Sequence, residues 1–105
     1  MAMFVQHDVY RIAASRTLAY TASNGTAAST TSMGATTYFV QLSAAGSASS
    51  TGGVRIVIGD APVADSTGTL LPANWIQVYK ISPGQKISAI GNDAGSGTLN
   101  ISELE

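Results

Sequence analysis

The C-terminal third of the chain alternates apolar and polar residues with a period of two. The clearest run is 97–103, where Leu99 and Ile101 are separated by polar residues. Such alternation is typical of a β-strand with one buried face. No window of the sequence shows sustained helical spacing, and glycine and proline recur too often for a long helix. These features predict an all-β protein.

Two turn signals divide this part of the chain. Pro83-Gly84 suits the centre of a type II turn, because proline fixes φ at the first central position and glycine accepts a positive φ at the second. Residues 92–96 provide a second connection, rich in residues that tolerate left-handed backbone. We therefore predict a β-meander of three strands, 75–82, 85–91 and 97–103.

Three earlier runs have the same alternation: 17–23, 35–43 and 54–58. Within 35–43, Tyr38 and Val40 share one face and Phe39 lies on the other, so each face carries an aromatic ring. The residues of 54–58 are mostly β-branched, with Ile56 predicted to point inward. A tract of serine, threonine and alanine at 26–34 and a long connection at 59–73 carry no predicted strand.

The number and spacing of these strands predict a single antiparallel β-sandwich, jelly-roll-like, of about seven to eight strands. We assign it to residues 16–105. Residues 1–15 are predicted to form an N-terminal arm or extra strands.

Composition limits the classes of function. The chain has 105 residues, a net charge of −1 and no cysteine, and only 10% of its residues are charged, well below the roughly 25% of an average protein. We expect no disulfide, no thiolate metal site and no nucleic-acid partner, since the basic residues are scattered. No apolar run approaches the roughly 20 residues of a membrane span, and the first residues lack a signal-peptide pattern. We expect synthesis in the cytoplasm without export, and no membrane partner.

Candidate catalytic residues are few. His7 lies beside Asp8, and Ser15 follows, but adjacent strand residues face opposite sides, which argues against a catalytic triad. The loop carboxylates lack metal-site spacing and are expected to form turns: Asp60, Asp65 and Asp93. We therefore predict no enzyme activity, no cofactor and no metal.

Aromatic residues in the predicted strands suggest association. Four of them could stack against sugar rings, but their positions within strands favour core or subunit packing: Trp75, Tyr79, Tyr38 and Phe39. A sandwich buries only one face of the 35–43 strand in its own core, so we expect a homo-oligomer. The candidate interface residues are Phe4, Val5, Tyr10, Ile12, Phe39 and Val57.

Five segments of the C-terminal half occur in a fixed order: RIVIG at 55–59, PVA at 62–64, LPA at 71–73, ISPGQKISAI at 81–90 and GTLNISEL at 97–104. Together they resemble a group of small virion proteins of tailed bacteriophages. Residues 17–22 resemble the opening strand of that group, whereas residues 1–15 have no counterpart in it.

The resemblance implies a decoration or cement protein. Such proteins bind the outside of the expanded capsid, commonly as trimers at local threefold positions, and clamp neighbouring units of the major capsid protein. The expected location is the capsid surface of the virion. Two alternatives remain: a small tail or fibre module that binds host glycans, and an adaptor at the head–tail junction.

Overall fold

A computed structural model describes residues 11–46 and 52–105. Within these ranges the regular secondary structure consists of β-strands. No helix that is long and apolar enough to cross a membrane is found there. The strands are β1 (Ile12–Tyr20), β2 (Ala28–Ser29), β3 (Phe39–Gly46), β4 (Val54–Gly59), β5 (Thr69–Leu71), β6 (Ile76–Lys80), β7 (Lys86–Gly91) and β8 (Gly97–Leu104).

The strands form two four-stranded antiparallel sheets. The first sheet has the order β1-β8-β3-β6 and the second the order β2-β7-β4-β5. The hydrogen-bonded pairs include β1 with β8, β2 with β7, β3 with β6 and β4 with β5, as if one long hairpin had been folded over itself. This order is that of an eight-stranded jelly roll. The predicted all-β sandwich is confirmed.

The predicted C-terminal meander is wrong. Strands β6 and β8 belong to the first sheet. Strand β7, which lies between them in the sequence, belongs to the second sheet. The turn at Pro83-Gly84 forms as predicted: Gly84 has φ 83°, and the Gln85 N–H donates to the Ser82 carbonyl at 3.1 Å. A type II turn does not match the twist of a two-stranded hairpin, so β6 and β7 diverge into different sheets.

The core lies between the two sheets and follows the alternation of the central strands. Val40 and Leu42 of β3 are fully buried, as is Leu99 of β8. Ile87 and Ala89 of β7 face them from the second sheet and are also fully buried. The predicted inward positions of Leu99, Ile101 and Ile56 are confirmed.

Three details of the sequence prediction need correction. Tyr38 is exposed, because β3 begins at Phe39 and not at residue 35; the residues before it form a turn in which the Thr37 N–H donates to the Gly34 carbonyl. The 26–34 tract contains the two-residue strand β2 and the buried Met33. The 59–73 connection contains β5. Both added strands are too short to show periodicity.

The structure describes residues 11–15 of the predicted N-terminal arm. Strand β1 begins at Ile12, which pairs with Leu104, and Ser15 pairs with Ser102. The predicted boundary after residue 15 therefore falls inside β1. Residues 1–10 lie outside the described ranges.

Two glycines with the same backbone conformation allow a matched test of the fold. Gly53 and Gly84 both have φ 83°. A Cβ on Gly53 would lie 2.4 Å from the Leu71 carbonyl oxygen, whereas one on Gly84 would meet nothing within 4 Å. We expect Gly84→Ala to cost about 1 to 2 kcal/mol of unfolding free energy through the unfavourable φ alone. Gly53→Ala should cost at least about 1 kcal/mol more, because a backbone must also move. Urea unfolding measures both, and equal losses would contradict the described packing of β4 against β5.

Candidate interaction surface

Among the described residues, the most buried charged group is a carboxylate in the first sheet. Glu103 of β8 points into the sandwich and is 3% exposed. It accepts hydrogen bonds from the Thr37 hydroxyl at 2.6 Å and the Gly34 N–H at 2.8 Å, and it pairs with the Arg16 guanidinium. Burial acts to raise the pKa of Glu103, but these bonds outweigh it and hold the pKa below its usual value. Both carboxylate oxygens are engaged, so the group has a structural role.

Two of the loop carboxylates form turns, as predicted. Asp65 accepts bonds from the N–H and hydroxyl of Thr67, at 2.8 and 2.6 Å, and these bonds lower the pKa of Asp65. Asp93 accepts from the Gly52 and Gly95 N–H groups, both at 2.8 Å. In 11–46 and 52–105, no three histidine or acidic side chains come together as metal ligands would.

Strand β6, the edge strand of the first sheet, carries exposed apolar side chains. Ile76 and Val78 are 61% and 39% exposed on the outer face of this sheet, and Trp75, just before the strand, is 56% exposed. We call these three residues the β6 edge patch. Leu70 of β5 is also exposed, but it lies opposite Arg55 on the outer face of the second sheet.

A shallow groove of about 290 Å³ lies beside this patch, between the two sheets. Ile56 and Ile58 line it from β4, and Tyr79 lines it from β6. Tyr79 is half-buried, and burial raises the pKa of its hydroxyl, which therefore stays neutral at physiological pH. Thr67 and Thr69 also line the groove, and none of the residues of the β6 edge patch does.

A second hollow, of about 440 Å³, lies on the outer face of the second sheet beside the 59–68 loop. The Ala64 N–H donates to the Ser88 hydroxyl at 2.9 Å, which fastens the loop to β7. Arg55 lines the hollow, but its guanidinium already donates to the Asn92 side chain at 2.8 Å and to the Gly68 carbonyl at 3.1 Å. Arg55 therefore links the loop that contains Asn92 to the loop that contains Gly68.

The predicted interface residues do not form one surface. Ile12 and Phe39 lie on the outer face of the first sheet, in one cross-strand row that passes through Leu104. Val57 lies on the outer face of the second sheet, on the opposite side of the molecule. Phe4, Val5 and Tyr10 lie outside the described ranges, as do His7 and Asp8.

No protein-family model, no curated protein and no solved structure matches this chain.

Sequence reasoning missed two features of these surfaces. The burial of Glu103 beside Arg16 could have been predicted, because Glu103 is an even number of residues from Leu99 and Ile101 and so falls on the inward face of its strand. The exposure of Ile76 and Val78 could not have been predicted, because it depends on which strand lies at the edge of the sheet.

Proposed function

We propose that this chain is a bacteriophage virion structural protein that binds and stabilises the expanded capsid as a decoration or cement protein. The observation that carries the proposal is the β6 edge patch, in which Trp75, Ile76 and Val78 are 56%, 61% and 39% exposed at one edge strand. Clustered exposed apolar residues are typical of interaction sites. Together with the resemblance of the segment order to that of small virion proteins of tailed phages, the patch favours a protein that works by docking. The partner we propose is the major capsid protein.

The low charge of the chain supports the same role. Five basic and six acidic residues leave a net charge of −1, so electrostatic steering is weak. Binding would then rest on shape, apolar contact and backbone hydrogen bonds, which salt screens little. Such a surface also allows many identical copies to pack close together on a shell.

The jelly-roll fold is consistent with a protein that works by binding, but it does not distinguish a capsid protein from a lectin. Eight-stranded jelly rolls occur in viral capsid proteins and in lectins, and a fold alone does not imply a function. The resemblance adds a homo-oligomer, with three copies as the implied number.

Cosedimentation with expanded capsids of a tailed phage tests the proposal. We expect the full chain to bind expanded shells and to remain bound when the salt is raised to half-molar. A matched variant lacking residues 2–10 keeps Arg11, whose N–H and carbonyl pair with Glu105, and so leaves β1 intact. If the predicted arm contributes, this variant binds more weakly. Failure of the full chain to bind any expanded shell of its own phage would refute the proposal.

One observation favours a second candidate, a glycan-binding tail or fibre module. The exposed rings of Trp75 and Tyr38 are of the kind that stack against sugars. Glycan-array binding that is lost in Trp75→Ala, without any binding to capsids, would move the protein to this class.

A further inference from the structure

The four edge strands of the described sandwich differ in how they are protected from pairing with another chain. Edge strands are usually kept short, bulged or supplied with inward-pointing charges. Strand β2 has two residues and β5 has three. Strand β1 has a register shift between Ile12 and Ala14 and points Arg16 inward. Strand β6, with five residues, has neither a bulge nor a proline, and its one charge, Lys80, lies at its end.

The backbone groups of β6 that face away from the sheet can be assigned. The Ile81 N–H donates to the Tyr38 carbonyl directly opposite it, at 2.9 Å. Residues that bond to a neighbouring strand alternate along an antiparallel pair. Gln77 and Tyr79 therefore bond to β3, whereas the N–H and carbonyl groups of Ile76, Val78 and Lys80 face outward.

We propose that two copies of this chain pair through their β6 strands, antiparallel about a twofold axis at Gln77. In this register Ile76 lies opposite Val78 of the partner copy, and the two residues exchange backbone hydrogen bonds. Trp75 lies opposite Tyr79 of the partner copy. Two aliphatic pairs and two aromatic pairs then form across the axis, and such pairs stabilise strand association.

Three features make a second copy the fitting occupant. The strand is complementary to itself in this register, and a twofold interface covers the β6 edge of both copies at once. The two Lys80 side chains lie at opposite ends of the paired strands, so no like charges face each other. A five-residue strand with one flanking tryptophan gives a small interface, so we expect a weak dimer, formed at micromolar concentration and above.

This inference does not rest on the proposed capsid role, but both use Trp75, Ile76 and Val78, so the dimer is a state of the free protein and capsid docking through these residues would displace it. It gives a dimer in free solution, whereas the resemblance implies a trimer, and the measured oligomer number separates the two. Capsid binding without dimers would refute the inference alone, and dimers without capsid binding would refute the proposed function alone.

Cysteine cross-linking tests the register, since the chain has no cysteine of its own. Gln77→Cys places the two introduced thiols directly opposite each other, at a Cα separation of about 4.5 Å that suits a disulfide. The neighbouring variant Val78→Cys is the matched control, because its two thiols are displaced along the strands by two residues. We expect a disulfide-linked dimer for Gln77→Cys and little for Val78→Cys. The reverse result, or no cross-linking in either variant, would overturn the proposed pairing.

Sedimentation equilibrium tests the dimer without cross-linking. Ile76→Lys adds a charge to the unprotected edge and removes both aliphatic pairs, so we expect the dimer to weaken about tenfold or more. Leu70→Lys, on the edge strand of the other sheet, should dimerise like the unaltered chain. Thermal unfolding confirms that both variants are folded. A monomeric unaltered chain across the whole concentration range, or equal dimerisation of both variants, would overturn the proposal.

Discussion

Replacing Arg16 by methionine is expected to lower the free energy of unfolding by about 3 kcal/mol. The substitution removes the guanidinium that pairs with Glu103, while the carboxylate stays buried at 3% exposure. The loss should lie at the low end for buried pairs, because the Thr37 hydroxyl and the Gly34 N–H still donate to the carboxylate. Urea unfolding monitored by circular dichroism measures it.

A double variant provides the control for this prediction. In Arg16→Met with Glu103→Gln, both charges are removed and the glutamine carbonyl oxygen can still accept from the Thr37 hydroxyl and the Gly34 N–H, so no unpaired charge is left inside the sandwich. We expect the double variant to be more stable than Arg16→Met alone. Additive losses would mean that the two side chains do not interact, which would contradict the geometry of this network.

The same network makes stability depend on pH. The folded-state pKa of Glu103 is lowered, so the carboxylate binds its proton less readily in the folded protein than in the unfolded chain. The contribution of the ionised carboxylate to the free energy of unfolding is complete above the unfolded-state pKa of about 4.3. It is lost as the pH falls through the lower folded-state pKa. Glu103→Gln should reduce the acid sensitivity of stability. An identical pH profile for both proteins would show that Glu103 is not held as described.

Ile56→Ala is expected to cost about 2 to 5 kcal/mol of unfolding free energy. Ile56 is 3% exposed and belongs to the core between the sheets, so the substitution leaves a cavity. Val57→Ala is the matched control, one residue along β4 and on the outer face, where the side chain is half-buried. We expect a clearly smaller loss there. A loss below about 0.5 kcal/mol for Ile56→Ala would place this side chain at the surface.

Local patterns in the sequence predicted the strands and their buried faces well. The alternation around Leu99 and Ile101 identified β8 and its inward face, and the β-branched run around Ile56 identified β4. These predictions succeed because the period of a strand is set by the pleat of its own backbone. The turn at Gly84 could be predicted for a similar reason, since it depends on local φ preferences.

The assignment of strands to sheets could not be predicted in the same way. The predicted meander kept β6, β7 and β8 in one sheet, whereas the chain crosses between the sheets at both of the connections that join these three strands. The edge at Ile76 and Val78 follows from this order, because in 11–46 and 52–105 β6 has β3 on one side and no strand on the other. Periodicity within a strand carries no information about its neighbours, so neither the edge nor the separation of Phe39 from Val57 was visible in the sequence.

The proposed cement role is tested most directly by the heat stability of expanded capsids with and without the bound protein. Calorimetry of the two preparations at matched capsid concentration gives the comparison, and a sample with the protein added to unexpanded shells serves as the control. The proposed role predicts that saturating protein raises the disruption temperature of expanded shells and leaves unexpanded shells unchanged. An unchanged disruption temperature for expanded shells that carry the bound protein would contradict the role of a cement protein.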